Sequence, residues 1–140
     1  MSSNDDFITF SSYSNLYELN EELLHQNMSK LDVSFNRIRK IDIINNYYLL
    51  EECDARNNSI EDFELNLLKL RRLHYLNLSL NRLHTLKILN KSKNLIKLVL
   101  NNNNLKNISC LRNLSLEYLD LSNNLIESID DITTIRIGGQ

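Results

Sequence analysis

Metal binding and nucleophilic catalysis need histidine, cysteine or carboxylate side chains at defined spacings, and those spacings are not found in this sequence. His25, His74 and His84 are its only histidines, and none falls in an H-E-x-x-H or comparable ligand spacing. His74 and His84 sit in a lysine- and arginine-rich segment, which suits surface placement better than a metal site. Cys53 and Cys110 stand far apart with no C-x-x-C, the usage expected of a reduced, intracellular chain, cytoplasmic or nuclear. There is no G-x-S-x-G, no P-loop and no dinucleotide turn, and the only glycines are Gly138 and Gly139. The start, Met1 to Asp6, has neither positive charge nor a long apolar core, so no secretory signal is read there. No stretch reaches the roughly 18 apolar residues of a membrane span. No catalysis, cofactor, metal, small-molecule substrate or membrane contact is expected.

The elements that would position any other function are set by an unusual composition. The chain holds 28 Leu and 22 Asn among 140 residues, but one Ala, two Val and no Pro. It also reads as a repeat: MSKLDVSFNRI (28–38), LEECDARNNSI (50–60), LHYLNLSLNRL (73–83), LIKLVLNNNNL (95–105) and LEYLDLSNNLI (116–126) share the frame L-x-x-L-x-L-x-x-N-x-L. Its anchors Asn36, Asn58, Asn81, Asn103 and Asn124 are separated by 22, 23, 22 and 21 residues.

The frame assigns each position a physical task. L-x-L is a short strand whose alternate side chains point inward, as at Leu76 and Leu78 or Leu119 and Leu121. Stacked repeats place these strands in a parallel sheet with neighbours about 4.8 Å apart. The anchor asparagine carries two donors and an acceptor, enough to satisfy turn backbone groups that stacking would bury unpaired. Leu83 with Leu86, and Ile126 with Ile129, fill the core beneath the return segment, and Cys53 replaces a leucine as a small buried hydrophobe. No repeat buries its apolar side alone, so stability resides in neighbouring contacts.

Both ends depart from the frame. Phe7-x-x-Phe10-x-Ser12-x-x-Asn15 keeps a degenerate version, with Asn15 placed 21 residues before Asn36. Asn15-x-x-Glu18 then resembles a capping box, and Leu16, Leu19, Leu23 and Leu24 follow at helical spacing. Residues 1–6 are expected to be a flexible N-terminus and 7–140 a single domain. Within it, 7–27 form an N-terminal capping repeat with an amphipathic helix, 28–129 five repeats, and 130–140 a truncated end. Ile129, Ile132, Ile135 and Ile137 track Ile108, Leu111, Leu114 and Leu116, and the last repeat is expected to lean on a partner.

With LDVSFNRIRKI at 31–41 and LDLSNNLIESI at 119–129, the chain resembles the short intracellular leucine-rich-repeat proteins of the 22-residue class. That class includes the leucine-rich regulatory subunit of protein phosphatase-1, a dynein light chain and the spliceosomal A-prime protein. The resemblance covers about residues 7–137 and implies an α/β, right-handed leucine-rich-repeat solenoid with a short-stranded parallel sheet on its concave face. It also implies a binding scaffold in place of a catalyst, without fixing the partner.

Positions pointing away from the core then supply the candidate surfaces. Between the strand leucines lie Ser11, Asp32, Asp54, Asn77, Val99 and Asp120. The column before reads Thr9, Lys30, Glu52, Tyr75, Lys97 and Tyr118, and the column after reads Tyr13, Ser34, Arg56, Ser79, Asn101 and Ser122. Tyr75 and Tyr118 stand out as aromatic anchors of the kind favoured at protein interfaces. Charge is also segregated. Residues 1–64 carry 13 acidic and 5 basic side chains, and residues 117–140 carry five acids and one Arg. Between them, Lys69, Arg71, Arg72, Arg82, Lys87, Lys91, Lys93, Lys97, Lys106 and Arg112 occur with no acid at all. The reading is a non-catalytic protein-interaction scaffold, a small subunit of a larger assembly, binding through the concave face. Two alternatives stand beside it. One is a ribonucleoprotein component of ribosome or spliceosome whose basic band at 65–116 meets RNA, or equally an acidic partner. The other is a protein phosphatase regulatory subunit.

Overall fold

The computed structural model of the chain describes residues 8–128 and 136–137. Six three-residue strands form one parallel sheet: β1 (Ile8–Phe10), β2 (Lys30–Asp32), β3 (Glu52–Asp54), β5 (Tyr75–Asn77), β7 (Lys97–Val99) and β9 (Tyr118–Asp120). They lie side by side in chain order, so each coil stacks directly on the last. On the return side, β4 (Asp62–Leu65) pairs with β6 (Thr85–Ile88), and β8 (Ser115–Leu116) pairs with β10 (Arg136–Ile137). In the last pair Ile137 sits opposite Leu116, in the register that the isoleucine spacing predicts. Ile129, Ile132 and Ile135 lie outside the described residues, as do residues 1–6.

The apolar positions of the frame build one continuous core. Leu31, Cys53, Leu76 and Leu98 occupy the centre of successive strands and are buried. Ile38, Ile60, Leu83 and Leu105 close the coil after each anchor, and Phe63, Leu65, Leu86 and Ile88 fill it from the return strands. A solenoid of such thin coils cannot satisfy its turns with helices or long ladders. Five asparagine side chains do that work instead. The amide nitrogen of Asn81 donates to the carbonyls of Ala55 (3.1 Å), Leu78 (3.0 Å) and Ser79 (3.2 Å), while its Oδ1 accepts the Ile60 N–H (3.0 Å). Asn36, Asn58, Asn103 and Asn124 repeat the pattern, each tying its own turn to the coil before it. Among the described residues no buried side-chain nitrogen or oxygen is left without a partner.

One cost of this turn is visible in the backbone. The residue before each anchor is left-handed: Phe35, Asn57, Leu80, Asn102 and Asn123 have φ between 54° and 59°. Asparagine tolerates that region, whereas a leucine there is strained by roughly 1–2 kcal/mol. Leu80 is 44% exposed, so little burial would be lost by replacing it. Leu80→Asn is expected to raise stability by about 1 kcal/mol, seen as a higher urea midpoint at unchanged slope.

Two expectations for the N-terminal coil need correction. The register pairs Ile8 with Lys30, Thr9 with Leu31 and Phe10 with Asp32, one residue away from the alignment on Asn15. Thr9 therefore points inward and is 9% exposed, and Ser14, not Asn15, stands opposite Asn36. The observed register stacks the Tyr13 ring on Phe35 at 4.5 Å and gives Tyr13 the same left-handed turn, φ 53°. The expected amphipathic helix is likewise absent among the described residues of this coil. Asn15 is left-handed (φ 57°), which an N-cap is not, and the Leu16 N–H is taken by Asn36 Oδ1 at 2.9 Å. What remains is a single turn at Asn20, whose carbonyl accepts from Leu23 and Leu24. Leu19 and Leu24 still reach the core. Elsewhere among the described residues the helical part of the return segments is limited to two 3-10 turns, Asp42–Asn46 and Ser109–Asn113.

Candidate functional site

The first outward column of the sheet is a row of side chains in register: Lys30, Glu52, Tyr75, Lys97 and Tyr118. Neighbours on parallel strands are close enough to interact, and they do so in two groups. Lys30 Nζ pairs with Glu52 at 3.2 Å. Lys97 lies between two rings, its Nζ 4.7 Å from the centroid of Tyr118 and 5.5 Å from that of Tyr75. Such contacts fix a long, otherwise mobile side chain by attraction between ammonium and ring faces. Tyr75 is further held by Asn77, whose amide donates to its hydroxyl at 3.1 Å. Partial burial raises the pKa of that hydroxyl, with the Asn77 bond opposing.

The second column, Asp32, Asp54, Asn77, Val99 and Asp120, has a largely structural task. Each polar member accepts, through Oδ1, the N–H two residues on: Ser34 (3.0 Å), Arg56 (3.2 Å), Ser79 (3.0 Å) and Ser122 (3.0 Å). Where the third residue is serine, its hydroxyl donates to the same oxygen at 2.6–2.7 Å. These are Asx turns that end the strands. Asn77 shows that a neutral amide suffices. Burial raises the pKa of the Asp54 carboxyl, opposed by the Arg56 N–H and the Arg56 charge. A carboxylate with a raised folded-state pKa costs stability while charged, and that cost vanishes once pH falls below the unfolded value of about 4. Asp54→Asn is therefore expected to raise the melting temperature at pH 7, with the gain fading in acid. The lost 3.6 Å contact to the half-exposed Arg56 should matter little.

Among the three cations of the concave face, Lys30 and Arg56 meet carboxylates, whereas Lys97 meets none among the described residues. The face thus has a charge-balanced half at β2 and β3 and an aromatic, cationic half at β5, β7 and β9. There Tyr118 is 46% exposed, while Asn77 and Val99 form a flat floor, 6% and 9% exposed.

The remaining basic residues are spread over the coil. Lys69, Arg71, Arg72, Lys91, Lys93 and Arg112 lie on the leading edge, where the chain runs into the concave strands. Arg82 and Lys106 lie on the trailing edge, and Lys87 is on the return strand β6 beside Glu64 of β4. Lys106 approaches Glu127 at 3.9 Å, both exposed. Among the described residues no three His, Cys, Asp or Glu side chains gather as metal ligands, and no helix is long and apolar enough to cross a membrane. Cys53 is fully buried, which pushes its thiol pKa up, and burial pushes Cys110 up to about 11.

No protein-family model matches the chain, and no curated protein matches its sequence. Solved structures do. The leucine-rich repeat domain of APL1B superposes with a TM-score of 0.72 at 20% identity, over 88% of this chain and 38% of that one. A second match, at TM-score 0.70 and 21% identity, is to a complex of LRIM1 with APL1C, over 88% of this chain and 23% of the other. The fold is that of the leucine-rich-repeat domains. The chain spans well under half the length of these neighbours, and at such identities the likeness concerns the fold.

Two features of this surface escape a reading of the sequence. Tyr13, Phe35 and Arg56 form a stacked row on the trailing edge, with Arg56 5.5 Å over the Phe35 ring. Their signal is the residue before the anchor, where Phe35 stands in place of the asparagine found at 57, 102 and 123. The other is an apolar pair on the leading edge, Tyr48 and Leu68, 56% and 60% exposed. No periodicity marks them, because the return segments differ in length and conformation from coil to coil.

Proposed function

We propose that this chain is a non-catalytic protein-interaction module that binds a partner protein across its concave face, centred on Tyr75, Lys97 and Tyr118. The observation that carries the reading is the ring–ammonium–ring arrangement: two tyrosines and a cation that meets no carboxylate among the described residues, held on adjacent strands beside the apolar Val99. A partner that covers it gains aromatic contact area at little cost in side-chain ordering. The LRIM1/APL1C complex supports the reading, because there a chain of the same fold is joined to another protein. The sheet presents three-residue strands at this place, which suits a broad partner surface better than a small molecule. The working setting is a larger assembly inside the cell, a compartment that fits two thiols forming no disulfide.

A second reading, contact with RNA, draws on the leading-edge cations Lys69, Arg71, Arg72, Lys91 and Lys93. A pull-down from the protein's own cells, with and without nuclease, separates the two. A partner retained after nuclease supports the protein-binding reading, and one lost on nuclease treatment contradicts it. If RNA is the partner, binding should also weaken steeply with rising salt as counterions are released.

A further inference from the structure

The leading edge carries a second surface, apart from the concave face. Tyr48, Leu49, Leu68, Lys69, Arg71 and Arg72 line one cleft of about 490 Å³ between consecutive coils. Its apolar pair is unusually open, with Tyr48 56% and Leu68 60% exposed. Its three cations form no ion pair among the described residues, although the chain as a whole has an excess of acids. A neighbouring cleft of about 390 Å³ shares Leu49 and Arg72 and continues toward Lys30 on the concave strand β2, with Glu51 on its wall.

The cationic turn is built to stay in place. Asn66 Oδ1 accepts the N–H groups of Leu68 (3.1 Å) and Lys69 (3.3 Å), and the Asn66 carbonyl accepts the Leu70 N–H at 3.0 Å. Arg71 Nε donates to the Leu68 carbonyl at 3.0 Å, folding the guanidinium over its own turn. The Arg71 carbonyl accepts from Asn94 of the next coil at 2.8 Å. None of these bonds uses the terminal guanidinium nitrogens of Arg71, which remain in position to donate to a carboxylate pair.

We propose that this leading-edge cleft docks an acidic segment of a partner protein, with one apolar side chain seated between Tyr48 and Leu68 and flanking carboxylates on Lys69, Arg71 and Arg72. Charge complementarity selects the acid, because three cations line the cleft. The apolar pair selects a peptide over a bare polyanion, because phosphates alone would leave Tyr48 and Leu68 exposed to water. The pre-ordered turn lowers the entropy lost on docking.

The test is fluorescence anisotropy with the full chain and three labelled probes. These are a peptide of Glu and Asp with one central Phe, the same peptide with Gly for Phe, and a single-stranded RNA oligonucleotide. The Phe peptide should bind most tightly. Arg71→Glu with Arg72→Glu, and separately Leu68→Ser, should each weaken it at least about tenfold. Lys87→Glu on the return strand should leave it unchanged. All these side chains are exposed, so an unaltered thermal melt of each variant ties any loss to the cleft. Equal binding of the Phe and Gly peptides would overturn the proposal, as would tighter binding of the RNA. So would an effect of Lys87→Glu as large as that of the arginines. If sedimentation shows a dimer that the cleft variants dissolve, the occupant is a second copy of the chain and the proposal is wrong.

Discussion

Replacing Asn81 with alanine should lower the unfolding free energy by about 3 kcal/mol, a large loss for a single polar side chain. The substitution removes three donated bonds and one accepted bond, at a residue only 8% exposed. It strands the Ile60 N–H, which costs about 1–3 kcal/mol, and takes one of two donors from each of the carbonyls of Ala55, Leu78 and Ser79. The carbonyls have second lone pairs that other donors serve, which keeps the sum near the lower end of the simple total. The affected groups belong to two coils, because Ala55 and Ile60 precede the strand that Asn81 follows. In a stack held by nearest-neighbour contacts, weakening one junction should also broaden the transition, as the two halves begin to unfold separately. Urea denaturation followed by circular dichroism reads both effects. Asn104→Ala, at the exposed asparagine beside the anchor Asn103, should shift stability by less than about 0.5 kcal/mol. Equal effects at Asn81 and Asn104 would mean that the ladder does not hold the coils together.

Removing both rings, Tyr75→Ala with Tyr118→Ala, should reduce partner affinity about 100-fold, because each buried aromatic anchor at an interface centre is worth about tenfold or more. Tyr118 should account for the larger share on its own, since it is the more exposed of the two and has more area to bury. The loss should lie mainly in the dissociation rate, which is where interface substitutions usually act. Removing the rings also frees Lys97 from the contacts at 4.7 and 5.5 Å, so part of the effect is loss of pre-organisation. Surface plasmon resonance with the purified partner gives both rates, and a melt of the double variant shows whether the Asn77 bond to Tyr75 was needed for folding.

Periodicity made the coil readable because each inward position repeats with a spacing that only stacking explains. Leu31, Cys53, Leu76 and Leu98 fall on one core line, and the five anchor asparagines make the bonds that their donors and acceptor suggest. The N-terminal coil departs from the frame because Asn15 resembles an anchor only chemically. The choice of register rests on Tyr13 stacking over Phe35 and on Thr9 turning inward, neither of which is a local signal. Leucines at helical spacing likewise do not make a helix when the backbone donors of that stretch are drawn to the adjacent coil, as the Leu16 N–H is. The outward columns were legible for the same reason as the core, yet their chemistry was not. Asp-x-Ser and Asn-x-Ser mark Asx turns at 32, 77 and 120, so those oxygens serve the turn before they serve a ligand. The charge segregation survives folding only as a leading-edge concentration, because sequence neighbours on a thin coil point to different sides.

Site-specific photo-crosslinking tests the concave-face account most directly. A photoreactive residue is placed at Tyr118 on the concave sheet, and in a second protein at Lys87 on the return strand. Each is exposed to the partner isolated from the protein's own cells. The result expected is an adduct from position 118, lost when unlabelled wild-type chain competes, and none from position 87. An adduct from position 87 with none from position 118 would contradict the assignment of the concave face as the binding surface.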